Sequence, residues 1–290
     1  MNATIMPALT FSRVLLATDF SEETDRALAY AKAIIRASGG ELLLVHVAQV
    51  GPVLAVPEGS WIPDDSGRIE VEQRQTDEAA AALRREGLKV KAFCPFGRVG
   101  QTVAHTAEIC HADLVVIATH ARRGLNRLVF GSYTEETAGF VDTPLLIIGP
   151  RAPFISQAKW KPNRILCSTS FARGETTLVA FAYLLSMKYG AAFDILNFAT
   201  SRDRESISEW PAFRSSVSTL LSEQDLDWLP PQPIQLPEPR ARSLTEAVIA
   251  RGADLLVIGG DSQQWRMLHQ GTLQELICDV PCPILTSQTR

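Results

Sequence analysis

Four short segments in the N-terminal half carry the side chains that can do chemistry. Thr18-Asp19 follows the apolar run Val14 to Ala17. A carboxylate at the end of a strand can accept hydrogen bonds from ribose hydroxyls or an adenine amino group. The alternative is that Asp19 only caps the next helix. Ser21 is available for that task, so capping alone does not require Asp19. His46-Val47 ends a second apolar run. Val47 can offer backbone groups to an adenine edge, although the residues by themselves favour a core strand with a buried, hydrogen-bonded histidine. The third segment, Ala118-Thr119-His120-Ala121-Arg122-Arg123-Gly124, puts small residues and then basic ones after a strand. Small residues let backbone N–H groups approach a phosphate, and the arginines either add charge or are simply solvated. The fourth, Gly131-Ser132-Tyr133-Thr134, opens a helix, where free N–H groups and the helix dipole favour an anion. Ser132 as an ordinary N-cap is the plainer alternative. The order and spacing of these pieces say more than any one of them.

The elements that must position these residues alternate. Val14 to Ala17, Leu42 to Val47, Leu114 to Ala118 and Leu145 to Ile148 are apolar on both faces, as in a parallel sheet covered by helices. Ser21 to Ala37 is an N-capped helix stopped by Ser38-Gly39-Gly40, and Arg68 to Glu86, Gly100 to Cys110 and Glu135 to Phe140 are helical. Leu88 to Cys94 supplies one more strand. The alternation predicts an α/β fold with an open, mostly parallel sheet and ligands at the strands' carboxyl ends.

The chain then repeats itself. Arg13-Val14-Leu15-Leu16-Ala17-Thr18-Asp19-Phe20-Ser21 is echoed by Arg164-Ile165-Leu166-Cys167-Ser168-Thr169-Ser170-Phe171-Ala172, and Ala112-Asp113-Leu114 by Ala253-Asp254-Leu255. The length suits two domains of about 140 residues. We expect them at 1–150 and 163–290, joined by a proline-bearing linker at 151–162. Strands are expected at Ile165 to Ser168, Phe193 to Phe198, Leu255 to Gly259 and Ile284 to Thr286, with helices at Thr176 to Tyr189 and Leu244 to Arg251. Leu229 to Pro239 reads as an extended surface loop, because proline cannot donate within a central strand.

The net charge of -4 gives no electrostatic footprint for nucleic acid or an anionic membrane. Five scattered cysteines form no framework, which suits a reducing compartment, and Cys278 and Cys282 read as buried structural thiols rather than a zinc pair. Met1 to Thr10 does not read as a signal peptide, and no run approaches the roughly 20 apolar residues of a membrane span. The expectation is a cytoplasmic protein.

These segments together resemble the universal stress protein family. The opening Val-Leu-Leu-Ala-Thr-Asp-Phe-Ser, the strand ending His46-Val47, the run Ala-Asp-Leu-Val-Val-Ile-Ala-Thr-His and Arg-Gly-Leu-Asn-Arg-Leu-Val-Phe-Gly-Ser all look like that family. Its ATP-binding members carry Gly, two residues, Gly, nine residues, Gly and then Ser or Thr. Here the motif falls on Ala118, Ala121, Gly131 and Ser132, with the long spacing kept and both early glycines replaced by alanine. The resemblance implies tandem five-stranded, Rossmann-like sandwich domains of the adenine-nucleotide-binding alpha-hydrolase type. It implies adenine and ribose contacts at Ala17, Thr18, Asp19 and Val47, and phosphate contacts near Ala118, His120, Ala121, Arg122, Gly131, Ser132 and Tyr133, with Gly97 bordering the pocket. The implied ligand is ATP, with magnesium as an optional companion, and the implied role is regulatory. A pseudo-dimer through the last strand of each half would protect two apolar edges, with further homodimerisation left open.

The C-terminal copy departs from this pattern. Ser170 replaces the acid, Asp261 stands where His120 stands, and Gln263 and Gln264 replace the two arginines. One nucleotide per chain is therefore expected. A slow ATPase is the weaker alternative, since no Walker-type lysine or base-and-nucleophile pair is evident. A ligand-free interaction protein is the other.

Overall fold

The computed structural model describes residues 10–48, 66–119, 132–156, 159–171, 175–198, 206–221, 229–230, 232–236, 241–260 and 272–288. Among them the N-terminal half runs β1 (Arg13–Ala17), α1 (Glu22–Ser38), β2 (Glu41–Val45), α2 (Ser66–Arg85), β3 (Lys89–Phe93), α3 (Val99–Ile109), β4 (Leu114–Ala118), α4 (Ser132–Phe140) and β5 (Leu145–Ile148). The C-terminal half follows with β6 (Arg164–Thr169), α5 (Glu175–Tyr189), β7 (Ala192–Phe198), α6 (Ser206–Ser218), β8 (Ile234–Leu236), α7 (Ala241–Arg251), β9 (Leu255–Gly260), α8 (Thr272–Asp279) and β10 (Ile284–Gln288).

The strands form one sheet in the order β3-β2-β1-β4-β5-β10-β9-β6-β7-β8. Every pairing is parallel except the central one, where β10 and β5 run antiparallel with Leu285 opposite Leu146. The two most apolar strand edges therefore cover each other. The outer edges are blunted in different ways: β3 exposes Lys89 and Lys91, and β8 is only three residues long. One apolar layer packs under α1 and α5 and the other on the opposite face, and each takes residues from both halves. Phe11 meets Phe181 edge-on across the halves at 6.4 Å.

Local signals explain most boundaries. Ser21 caps α1 by accepting from the Thr24 amide, and Gly39 ends the helix at φ 69, where only glycine is unstrained. The second echo has a structural cause. Asp113 accepts from the Ser12 and Arg13 amides, and Asp254 accepts from those of Asn163 and Arg164. Each aspartate thus latches the start of the neighbouring strand, at the sheet edge away from the ligand end. Burial pushes the Asp113 carboxyl up, and its backbone donors pull it partly back.

Three expectations need correcting. Leu229 to Pro239 is not all loop, since Ile234–Leu236 pairs with β7. Prolines are tolerated there because β8 is an edge strand. Strand two ends at Val45, so His46-Val47 lies just past it. Cys282 is buried but Cys278 is only half-buried. Burial pushes the Cys282 thiol up to about 12.

Residues after β5 run against α1. The Arg26 guanidinium donates to the carbonyls of Pro150 and Ala152, and the Tyr30 hydroxyl donates to Pro153 O at 2.8 Å. Gly149 lies where β5 passes beneath α8, and a Cβ there would fall on the Ile277 carbonyl oxygen. That atom is backbone and cannot rotate away. Gly149→Ala is expected to lower stability by about 1–3 kcal/mol. Gly139→Ala, with nothing within 4 Å of its added methyl, should be neutral or stabilising by up to about 1 kcal/mol. Thermal melting of the two variants side by side checks the contrast.

Candidate functional site

β1 lies between β2 and β4, so the strand order reverses there and opens a crevice at the carboxyl edge. The residues around that crevice are fixed by short bonds between neighbouring exits. Thr18 N donates to Val45 O at 2.8 Å, which aligns the ends of β1 and β2. Ala48 N donates to Pro95 O at 2.9 Å and Gly97 N to Ala48 O at 3.2 Å, which brings the Gly97 loop beside Val47. Gly97 has φ 149, and a Cβ there would meet Thr102 Oγ1 at 2.6 Å, so glycine is required. Thr119 N donates to Ile148 O at 3.1 Å and carries β4 one residue further.

Asp19 is exposed at the mouth of this crevice and already oriented. Its Oδ1 accepts from the Ser21 amide at 3.1 Å, the Ser21 hydroxyl at 2.6 Å and the Thr24 hydroxyl at 2.6 Å. The capping alternative is thus partly realised: Ser21 takes the helix amide, and Asp19 buttresses Ser21. Phe20 adopts φ 60, an uncommon left-handed conformation, with its amide on Thr18 Oγ1. The turn is tied down at each of its residues.

Ala17, Thr18, Asp19, Val47, Gly97 and Ala118 thus come to one edge. The Val47 side chain is buried in the core and is not part of the surface of this edge. Ser132 and Tyr133 open α4, but their side chains lie outside the described residues, as do His120, Ala121, Arg122 and Gly131 altogether.

Two residues of this edge are absent from the motif reading. Thr24, through its hydroxyl, orients Asp19. Thr119 is 3% exposed, and its Oγ1 is buried with no hydrogen-bond partner among the described residues. Strand alternation places Thr119 on the face of Ile117, the α3 and α4 side. A buried hydroxyl left unpaired is costly. Its position between Ala118 and His120 is the sequence signal for it.

The matching edge of the C-terminal half keeps the geometry and changes the chemistry. Phe171 has φ 64, and its amide donates to Thr169 Oγ1, as Phe20 does to Thr18. The carboxylate comes from Glu175, which is 4% exposed. Its Oε2 accepts from Thr169 Oγ1 and Ser170 N at 2.7 Å and from Ser170 Oγ at 3.0 Å. Glu175 occupies the position of Thr24, as Ser170 occupies that of Asp19, so acid and hydroxyl have exchanged places. Gly259 stands where Ala118 stands, and a Cβ on it would meet Leu178 Cδ2 at 2.6 Å. Leu178 replaces Ala27. A larger helix residue thus fills what a smaller strand residue leaves.

Residues 10–149 match the model of the universal stress protein family. Those residues form a universal stress protein family domain. Universal stress protein MJ0531 of Methanocaldococcus jannaschii is 25% identical over 48% of this chain and 82% of its own length. Universal stress protein MJ0577 of the same organism is 24% identical over 49% of this chain and 96% of its own length. Across both halves, the fold is that of a universal stress protein from Archaeoglobus fulgidus, with TM-score 0.73 at 14% identity, covering 97% of this chain and 98% of the other. Within that half, the family motif runs from the end of β4 at Ala118 to the start of α4 at Ser132, and the opening segment that resembles the family leads into the Thr18-Asp19-Phe20 turn.

Proposed function

We propose that this protein binds one adenine nucleotide, ATP foremost, at the carboxyl edge of its N-terminal half, and that it acts as a cytoplasmic stress-response regulator rather than a catalyst. The carrying observation is the Asp19 carboxylate, pre-oriented by Ser21 and Thr24 at the switch point between β1 and β4. Such a group suits ribose hydroxyls or an adenine amino donor. Thr119 adds a buried hydroxyl, without a partner among the described residues, on the side where α4 begins. The residues present therefore fit an adenine nucleotide. In this reading Val47 presents backbone to adenine, Gly97 borders the pocket, and Ala118, His120, Ala121, Arg122, Gly131, Ser132 and Tyr133 surround the phosphates, with magnesium as their companion ion.

Residues 1–150 and 163–290 act as two modules joined at 151–162, forming a pseudo-dimer within one chain. A ligand-free, architectural role is the reading favoured for the C-terminal half, because Glu175 and Leu178 occupy its crevice. Calorimetry with ATP, ADP and AMP tests both statements. One nucleotide per chain with micromolar or tighter affinity is the expected result. No heat with any of the three overturns the nucleotide reading, and two equal sites overturn the asymmetry.

A further inference from the structure

We propose that the C-terminal half carries a second binding site, between α6 and the carboxyl ends of β7 and β8, which takes a guanine base edge through Asn197 and Gln235. It lies further toward the β8 edge than the crevice that Glu175 and Leu178 fill, and that crevice stays closed. The inference goes beyond the nucleotide reading of the N-terminal half.

Three strands set a row of polar residues here. Thr169, Asn197 and Gln235 are register partners in β6, β7 and β8. Alternation puts all three on one face of the sheet. Cys167 and Ile195, two residues back, belong to the buried cluster under α5 and α6. Ile234 and Leu236, on either side of Gln235, pack with the opposite cluster. The α5 and α6 cluster includes Phe171, Trp210 and Phe213, whose rings contact one another. The row is a polar strip on the face that these aromatic rings cover.

The strip does not satisfy itself. Asn197 is 1% exposed, and its Nδ2 donates to Thr169 O at 3.0 Å. A carbonyl only accepts, so this amide cannot be turned round and Oδ1 must point elsewhere. Asn197 Oδ1 is buried with no hydrogen-bond partner among the described residues. Gln235 Oε1 and Nε2 are in the same state. The two amides stand on paired residues and still do not bond each other. Arg214, next to Phe213 on α6, adds a buried Nε that also lacks a partner among the described residues. Buried polar atoms left unpaired are costly. Their gathering on adjoining strands is the mark of a ligand that completes them.

The inventory selects that ligand. Two amide oxygens need donors, while Gln235 Nε2 and Arg214 Nε need acceptors. An aromatic cover suits a flat ring. Guanine carries its N1–H and 2-amino donors side by side, with the O6 acceptor next to them and N7 beyond. Adenine offers one amino donor beside one ring acceptor, and uracil one N–H between two carbonyls. Either would leave an amide oxygen bare. In the N-terminal half, His46 and Cys94 stand at the places of Asn197 and Gln235. Neither is an amide, so one such site per chain is expected.

The test is calorimetry and ligand-observed NMR on the full chain with guanosine and inosine, each with and without excess ATP. Guanosine should bind saturably with Kd below about 1 mM, whether or not ATP is present. Inosine lacks only the 2-amino donor and should bind roughly tenfold more weakly or worse. Gln235→Leu removes three-atom complementarity at little change in volume. It should lose guanosine binding by roughly tenfold or more, keep its ATP affinity, and melt at or above the wild-type temperature. Displacement of guanosine by ATP would put the base in the N-terminal half and overturn the proposal. Equal binding of guanosine and inosine, or no saturable binding up to the solubility limit of guanosine, would also overturn it. Should Gln235→Leu fail to fold, the two nucleosides compared on wild type still decide the matter.

Discussion

Asp19→Ala is expected to weaken ATP binding by about ten- to a hundredfold. A hydrogen bond to a charged group contributes about 1.5–3 kcal/mol, and each 1.4 kcal/mol or so is a factor of ten in Kd. The loss has a second origin. Without the carboxylate, the hydroxyls of Ser21 and Thr24 lose their shared acceptor, and Thr24 is 4% exposed. The start of α1 should therefore loosen, at about 0.5–2 kcal/mol of stability, the usual scale for a damaged cap. Asp19→Asn separates the two effects. An amide oxygen can still receive both hydroxyls, so stability should stay near that of wild type, while the charge that suits a ribose diol is gone. Calorimetric Kd and thermal melting on the same three proteins give the answer. ATP affinity in Asp19→Ala within twofold of wild type would show that the carboxylate serves only the helix.

How much of this was legible in the sequence depends on whether the signal was local. The buried strands were, because a run such as Leu-Leu-Leu-Val in β2 has no polar face to give to solvent. So was the stop at Gly39. The edge strand β8 was not, because its three residues sit among prolines and gain strand geometry only from pairing with β7. α6 was also missed, with Pro211 inside it; Trp210 and Phe213 are buried against Phe171, and that tertiary packing outweighs the local penalty. At the site, Asp19 could be picked out as a strand-end acid. Thr24 could not, since its role appears only when the turn folds its hydroxyl back onto Asp19. His46 reads from the sequence as a hydrogen-bonded histidine, and it is half-buried with Nδ1 2.9 Å from Thr18 O.

The second copy shows what comparison of single positions leaves out. Comparison at position 170 alone shows an acid lost. The structure shows an acid moved five residues along the chain, to Glu175. This predicts a specific pattern of coupling. Glu175→Thr alone leaves the Thr169 hydroxyl and the Ser170 amide and hydroxyl without their acceptor, two of them at a buried carboxylate site, and should cost about 2–4 kcal/mol. Ser170→Asp alone sets a second carboxylate against Glu175 and should also destabilise, because like charges at such a distance repel strongly when partly buried. The double variant Ser170→Asp/Glu175→Thr rebuilds the arrangement seen around Asp19 and Thr24. Its cost should fall short of the sum of the singles by about 1–3 kcal/mol, the range for residues in direct contact. Denaturant unfolding of the four proteins measures this. Strict additivity would mean that the two turns are not equivalent and that Glu175 arose for another purpose. A clear coupling would mean that both halves need one carboxylate facing one hydroxyl across this turn, and differ in which side of it the acid stands. On the β1 side the acid is exposed; on the helix side it is buried and holds the turn.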